Sequence, residues 1–467
     1  MAYSSERLMF DHAPVTLTQR VFRAGGWTVA GLGLSQVIRF GSSLLMTRLL
    51  APEMFGVMAI ATMVMVGLAL FSDLGLGLNV VQSKRGNEAA FLNTIWVLQI
   101  LRGVVTWFFA LGVSLLVVFA NRIGMVPADS VYSEPSLPHV IAIFSISAII
   151  WGFASSKMYE AGRNLALGRL TQIEIGAQVA GLSCMIGWAA VDRSIWALVA
   201  ANLCSPVVLV ILSHVWLPGV SNRWQWDDTA FREIIHFGKW IFASSILGFL
   251  ANNGDRLLLG GMLNTTELGV YVIAFAIFSA VEATLTKIIS SVSYPALSEI
   301  ARERPADLRS SYYRFHVVIA SLAYLCAGIL IISGQELIGL LYDRRYAQAG
   351  WMLEILATAL LIIPFHIAIQ CFLALGKPRL LSYITSIRLL ALFILTPIGF
   401  HYFGLPGALW GIVLSYFSWL PMIIVYTIKY GLFDLRKELL PLPAVLAGLA
   451  VGKGFNLVMG HVSLPVW

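Results

Sequence analysis

Apolar residues fall in blocks of about 20 along nearly the whole chain, parted by short polar segments. Neither strict alternation nor a one-sided helical stripe dominates. A block of that length matches a hydrocarbon core roughly 30 Å thick. Lipid offers no partner for backbone N–H and C=O groups, so an open chain crosses it as helix. The pattern predicts an all-α integral membrane protein with 12 transmembrane helices. Their cores lie near 24–48, 54–79, 94–120, 137–156, 170–191, 194–217, 238–261, 269–294, 315–341, 350–375, 381–403 and 407–430. The stretch 439–459, which contains Pro441, Pro443 and Lys453, is a candidate thirteenth.

This parses into a cytoplasmic N-terminal segment 1–23, a first six-helix bundle 24–217 and a linker 218–237. A second six-helix bundle 238–430 and a C-terminal segment 431–467 follow. The first apolar block begins too late and runs too long for a cleavable signal sequence. Trp224 and Trp226 suggest an interfacial helix within the linker.

Laying 27–61 over 240–274 without gaps makes Trp27 coincide with Trp240, Gly41 with Gly254, Gly56 with Gly269 and Ala61 with Ala274. Span one thus matches span seven. Six spans per half is an even number, so both halves enter the membrane in the same direction. That is a parallel pseudo-repeat about an axis along the membrane normal.

Charge settles the expected orientation. Only 12% of residues are charged, against roughly 25% in soluble domains, and the formal net charge is +7. The excess sits in short loops, which argues for topology rather than nucleic-acid binding. With the N-terminus in the cytoplasm, inner loops hold roughly 20 Lys and Arg and outer loops about five. Lys84, Arg163, Arg304 and Lys377 are then inside, Glu267 and Arg344 outside.

Little in the chain reads as catalysis. There is no Gly-Lys-Ser/Thr phosphate loop and no His or Cys spacing for a metal. The four cysteines, Cys184, Cys204, Cys326 and Cys371, lie in apolar blocks and suit packing. Asp227-Asp228 is expected on a solvated surface, and His316 and His366 as hydrogen-bonded packing residues. Gly407 and Gly411 form a small-residue face for close helix contact.

Ionisable residues within spans carry more information, because they are costly in lipid and face a bundle interior or aqueous cavity. The basic ones are Arg39, Arg102, Arg256, Lys287 and Arg388. They are the candidate substrate-binding set. Arg39, the deepest, and Arg256, from the matching span, are expected to line one central cavity. Arg102 and Arg388 lie close enough to the cytoplasmic boundary to snorkel instead. The acidic residues Asp73, Glu174, Asp255 and Glu282 are candidates for ion coupling or for tying helices together. Glu354, near an outer boundary, is expected to be solvated.

The run Leu49-Leu-Ala-Pro-Glu-Met-Phe-Gly-Val, followed by Ser72-Asp-Leu-Gly-Leu-Gly, resembles the start of Wzx-type polysaccharide flippases. These form the polysaccharide transporter branch of the multidrug/oligosaccharidyl-lipid/polysaccharide exporter superfamily. Phe237-Gly-Lys-Trp, Asp255-Arg-Leu-Leu-Leu-Gly, Leu268-Gly-Val-Tyr and Tyr294-Pro-Ala-Leu-Ser extend the likeness through the second half. The resemblance implies a polyprenyl-diphosphate-linked oligosaccharide moved from the cytoplasmic to the periplasmic leaflet of a bacterial inner membrane. It implies alternating access, no enzymatic activity, and no cofactor beyond a coupling cation, Na+ or H+. Expected partners are the lipid-linked substrate, membrane lipids, and polymerase and export proteins of the same pathway, with no nucleic acid. Guanidinium groups suit the anionic diphosphate. The rivals are a drug/cation antiporter of the same superfamily, which should favour acidic and aromatic cavity residues, and a membrane glycosyltransferase or polymerase, which should carry a sizeable outer loop.

Overall fold

The computed structural model describes residues 17–71, 76–83, 85–164, 167–377 and 379–461. Among these the regular structure is all helix. The first half runs through α1 (Leu17–Leu49), α2 (Pro52–Phe71), α3 (Leu76–Gln82), α4 (Ala89–Arg122), α5 (Ser136–Phe144), α6 (Ile146–Gly152), α7 (Lys157–Arg163), α8 (Leu167–Val191) and α9 (Trp196–Val215). The second contains α10 (Asp228–Met262), α11 (Thr265–Ile288), α12 (Tyr294–Glu303), α13 (Leu308–Leu341), α14 (Ala349–Ala357), α15 (His366–Ala374), α16 (Arg379–Phe417) and α17 (Leu420–Lys429). α18 (Leu435–Leu439) and α19 (Pro443–His461) close the chain.

Nine stretches among the described residues are long and apolar enough to cross a membrane, or ten if the bent pair Ser136–Gly152 and Lys157–Arg163 counts as one span. The protein is a multi-pass membrane protein. The expected first and seventh spans, α1 and α10, are not among the nine; side chains in parts of both lie outside the described residues. Arg379–Lys429, at 51 residues, reaches about 76 Å as helix, more than twice a hydrocarbon core. Gly404 breaks it with φ 61°, a conformation glycine adopts without steric cost, and Pro406 follows. The candidate thirteenth span belongs to one of the nine stretches. Its helix α19 lies against α13, where Gly328 faces the backbone of Val445 and Leu449.

The linker departs from expectation. The residues around Trp224 and Trp226 form no helix, and α10 begins at Asp228, inside the expected linker. Asp227 caps it, accepting from the backbone N–H of Thr229 and Ala230. Trp224 rests edge-on against Trp96, its ring centroid 5.6 Å away, so the first half holds this segment in an extended path.

The halves meet at both ends. At the charge-rich end, Arg85 donates to Asp227 at 2.6 Å, to Glu88 at 2.8 Å and to Thr229 at 2.8 Å. The Thr229 hydroxyl and the Arg85 guanidinium hold the Asp227 carboxyl well below the usual carboxylate range. At the charge-poor end, α2 crosses α11 with Gly56 and Gly269 against each other's backbone, and a Cβ on either would collide with a main-chain carbonyl. These are the glycines that the 27–61 over 240–274 alignment superposes. Around the crossing, Thr266 donates to Glu53 at 2.7 Å and the buried Tyr346 donates to the Leu50 carbonyl at 3.1 Å. Arg345 reaches the Thr47 and Arg48 carbonyls at the end of α1 while paired with Asp343 at 2.5 Å.

Candidate functional site

The two halves present different interiors. Within the first, α2, α4, α6 and α9 surround a cavity of about 510 Å³. Its wall carries the hydroxyls of Thr62, Thr106 and Ser147, the amide of Asn202 and the side chain of Arg102, with Trp151 as an aromatic face. Arg102 sits about 20 Å along α4 from Ala89, at 1.5 Å per residue. Among the described lining residues there is no carboxylate.

Gln99 holds the wall in shape. It is 5% exposed, and its amide nitrogen donates to the carbonyls of Trp151, Gly152 and Ala154 at 3.0, 3.1 and 3.0 Å. The chain leaves helix at 153–156, so these carbonyls lack donors four residues on, and Trp151 keeps only the Ala154 N–H at 3.0 Å. The amide oxygen of Gln99 accepts from Tyr159 at 2.7 Å. Gly103 and Gly152 let α4 and α6 approach to backbone contact. On the opposite wall Pro206 lies inside α9 and has no N–H, which frees the carbonyl of Asn202 four residues earlier.

The second half packs aromatic rings beside its buried cations. Phe275 and Phe278 of α11 lie 5.7 Å apart between ring centroids, and Phe278 meets Tyr416 of α16 edge-on at 5.9 Å. Arg256 stacks over Phe275 at 4.8 Å and Arg388 over Tyr416 at 4.0 Å. The buried Nε of each has no hydrogen-bond partner among the described residues. Asp255, 5% exposed, accepts a hydrogen bond from the Tyr271 hydroxyl. Glu282 lies close enough for its charge to interact with Arg388 and Asp255. Yet none of the ion pairs within 4.0 Å among the described residues joins these two acids to these two bases. The guanidiniums are held chiefly by aromatic faces, a cation–π arrangement that leaves N–H groups available.

The structure brings Arg256 together with Arg388. Arg39 is exposed on α1, which packs on α8. Arg102 lines the separate first-half cavity. Lys287 and Glu174 are exposed on α11 and α8. Asp73 lies outside the described residues. His366 approaches the Ile363 carbonyl at 3.2 Å and Trp419 edge-on, while the buried His316 pairs with Glu438 of α18 at 3.0 Å. Among the described residues all four cysteines are free and no cluster of His, Cys, Asp or Glu could hold a metal. Sequence reasoning missed Gln99, Trp151, Phe275 and Tyr416. Pro206 next to a polar span residue was the available signal for the first cavity; nothing in spacing links Arg256 to Arg388, 132 positions away.

Comparison with known proteins places the chain. The family described as "Polysaccharide biosynthesis protein" matches residues 45–350, about two thirds of the sequence. The Escherichia coli lipopolysaccharide biosynthesis protein WzxC is 21% identical over 357 residues, 73% of this chain and 67% of that one. The Bacillus subtilis teichuronic acid biosynthesis protein TuaB is 22% identical over 291 residues, 61% of this chain but only 56% of its own length. In fold, the chain is similar to the lipid II flippase MurJ in an inward closed conformation, with TM-score 0.68, 11% identity and 94% of each chain covered. The chain belongs to the polysaccharide biosynthesis protein family of multi-pass membrane proteins.

Proposed function

We propose that the protein is a flippase that moves a polyprenyl-diphosphate-linked oligosaccharide repeat unit from the cytoplasmic to the periplasmic leaflet. The family and the relatives named for lipopolysaccharide and teichuronic acid biosynthesis support the pathway, and the MurJ-like fold supports lipid-linked transport. The carrying observation is the pair Arg256 and Arg388, each stacked on an aromatic ring with its Nε unbonded. A diphosphate would supply the missing acceptors, and charge-assisted bonds to phosphate are the strong kind. Arg39 and Lys287, exposed in this conformation, would guide the anionic headgroup as the halves rock. Asp255 and Glu282 sit where a coupling cation or proton would alter how tightly the guanidiniums are held; Glu174 and Asp73 remain candidates for the same role.

The charge-poor end is closed by the Gly56–Gly269 crossing and the Arg345 and Thr266 contacts. The positive-inside count assigns that end to the periplasm. Alternating access would part these contacts after the headgroup enters from the opposite end.

The test is leaflet translocation of a defined lipid-linked oligosaccharide in vesicles, normalised to folded protein. Wild type should translocate it well above protein-free vesicles. Losing charge-assisted hydrogen bonds of about 1.5–3 kcal/mol each should slow Arg256→Ala and Arg388→Ala by roughly tenfold to a hundredfold. Lys at either position should restore only part, since the bidentate fork is lost. Wild-type rates in both Ala variants at normal abundance would remove these residues from the mechanism.

A further inference from the structure

Each half sends a loop across the charge-poor end to grip the other half's first helix. From the first half comes 123–135, between α4 and α5, with a single 3-10 turn at Val131–Ser133. The Val131 N–H donates to the Leu263 carbonyl at 3.1 Å, and the Tyr132 hydroxyl donates to the Leu257 carbonyl at 3.1 Å. Leu263 lies just past α10, so its carbonyl has no intrahelical donor to lose. The Tyr132 ring lies in a notch left by Gly260 and Gly261. A Cβ on Gly260 would stand 2.5 Å from Ile60 of α2 and 3.2 Å from the Tyr132 hydroxyl oxygen, so the loop covers the seam between α2 and α10. Burial pushes the Tyr132 hydroxyl up to about 12, which keeps it a donor near neutrality. Asn121 holds the turn from behind, donating to the Tyr132 carbonyl at 2.8 Å.

The second half returns the grip from 342–348, between α13 and α14. Its Tyr346 donates to the Leu50 carbonyl, and Arg345 donates to the Thr47 and Arg48 carbonyls. Leu50 and Leu263 are equivalent positions when 240–274 is laid over 27–61, and each directly follows its helix, α1 ending at Leu49 and α10 at Met262. The two loops share no sequence pattern, so the correspondence is one of contact. We propose that these loops are reciprocal clasps that hold the charge-poor end shut, and that both must let go before it opens. The proposal rests on alternating access in the flippase reading. Hydrogen bonds suit a clasp, because each adds little net stability and the freed carbonyls turn to water.

The test uses purified full-length protein carrying spin labels at Arg193 and His401, which are exposed, lie in opposite halves and stand outside both clasps. Tyr132→Phe and Tyr346→Phe each remove one bond between the halves and keep the ring. Each should raise the ratio of long to short inter-label distances about two- to tenfold, and the double variant by roughly the product. Cysteines at Val131 and Leu263, oxidised with copper phenanthroline, should abolish the long distances and stop translocation of a lipid-linked oligosaccharide. Reduction should restore both. Size-exclusion profiles confirm that the variants are folded. An unchanged distance ratio in the double variant, or translocation by the oxidised pair at the rate of the reduced one, overturns the clasps. If wild type translocates no lipid-linked oligosaccharide, the flippase reading fails, and the distance ratio still decides the clasps on its own.

Discussion

The first half carries a cavity lined by hydroxyl and amide groups and the second half stacks buried cations on aromatic rings, although both are bundles of apolar helices from one chain. The difference lies in how each handles its buried polar groups. In the first half a single buried amide, Gln99, shares its two N–H groups among three carbonyls at a helix break, which ties the cavity wall together. In the second half Phe275, Phe278 and Tyr416 pack on one another, and the cations rest on Phe275 and Tyr416. A cavity with several hydrogen-bonding groups in its wall is the kind that holds ordered water or a polar ligand. A stacked guanidinium, by contrast, is pre-organised with its hydrogen-bonding capacity unspent.

The junction between the halves is the most sensitive point of that comparison. Gly269→Leu should cost about 1–3 kcal/mol or more, because the new side chain meets the backbone of Pro52 rather than a movable side chain. Cysteines placed at Glu53 and Thr266 report it directly: they should cross-link readily in the parent and poorly with Leu at 269. Undiminished cross-linking would show that the crossing tolerates bulk.

Gln99→Leu should loosen the wall of the first-half cavity and spare the second half. Unsatisfied buried carbonyls and the Tyr159 hydroxyl should destabilise by about 1–3 kcal/mol, read as a lowered thermal midpoint. An unchanged midpoint would mean that water replaces the amide. Tyr416→Leu should do the converse, at about 0.5–2 kcal/mol for a partly desolvated cation–π contact, while the Gln99 network stays intact. The smallest effect is expected at the Arg85–Asp227 tether outside the membrane. The depressed Asp227 carboxyl contributes stability that is present above its unfolded value near 3.9 and is lost as pH falls through its lower folded value. Asp227→Asn should flatten that acid-side loss in a pH series of melting curves; an unaltered profile would assign the loss to other carboxylates.

The membrane architecture was largely legible in the sequence, because block length and composition report directly on the solvent around each helix. The Gly404 break fell between two separately predicted spans, since a glycine close before Pro406 marks a helix boundary. The tryptophans of the linker misled because an interfacial helix and an extended segment pinned by Trp96 share the same composition. The candidate site was legible residue by residue and not as a constellation. Burial cost singled out Arg256, Arg388 and Arg102, but which of them share a space depends on packing across α10, α11 and α16. Arg39, expected to share a cavity with Arg256, is exposed on a helix packed against α8, while Arg256 is stacked on Phe275.

The central claim is that the stacked guanidiniums of the second half hold a diphosphate, and binding of a short-chain polyprenyl diphosphate without any sugar tests it most directly. Calorimetry on the purified protein should give an affinity at least tenfold weaker for the Arg256→Ala/Arg388→Ala double variant than for wild type, about 1.4 kcal/mol or more. Arg102→Gln, acting in the other half, should weaken binding of this sugar-free probe far less than the double variant does. Equal affinity in wild type and a folded double variant would contradict the account.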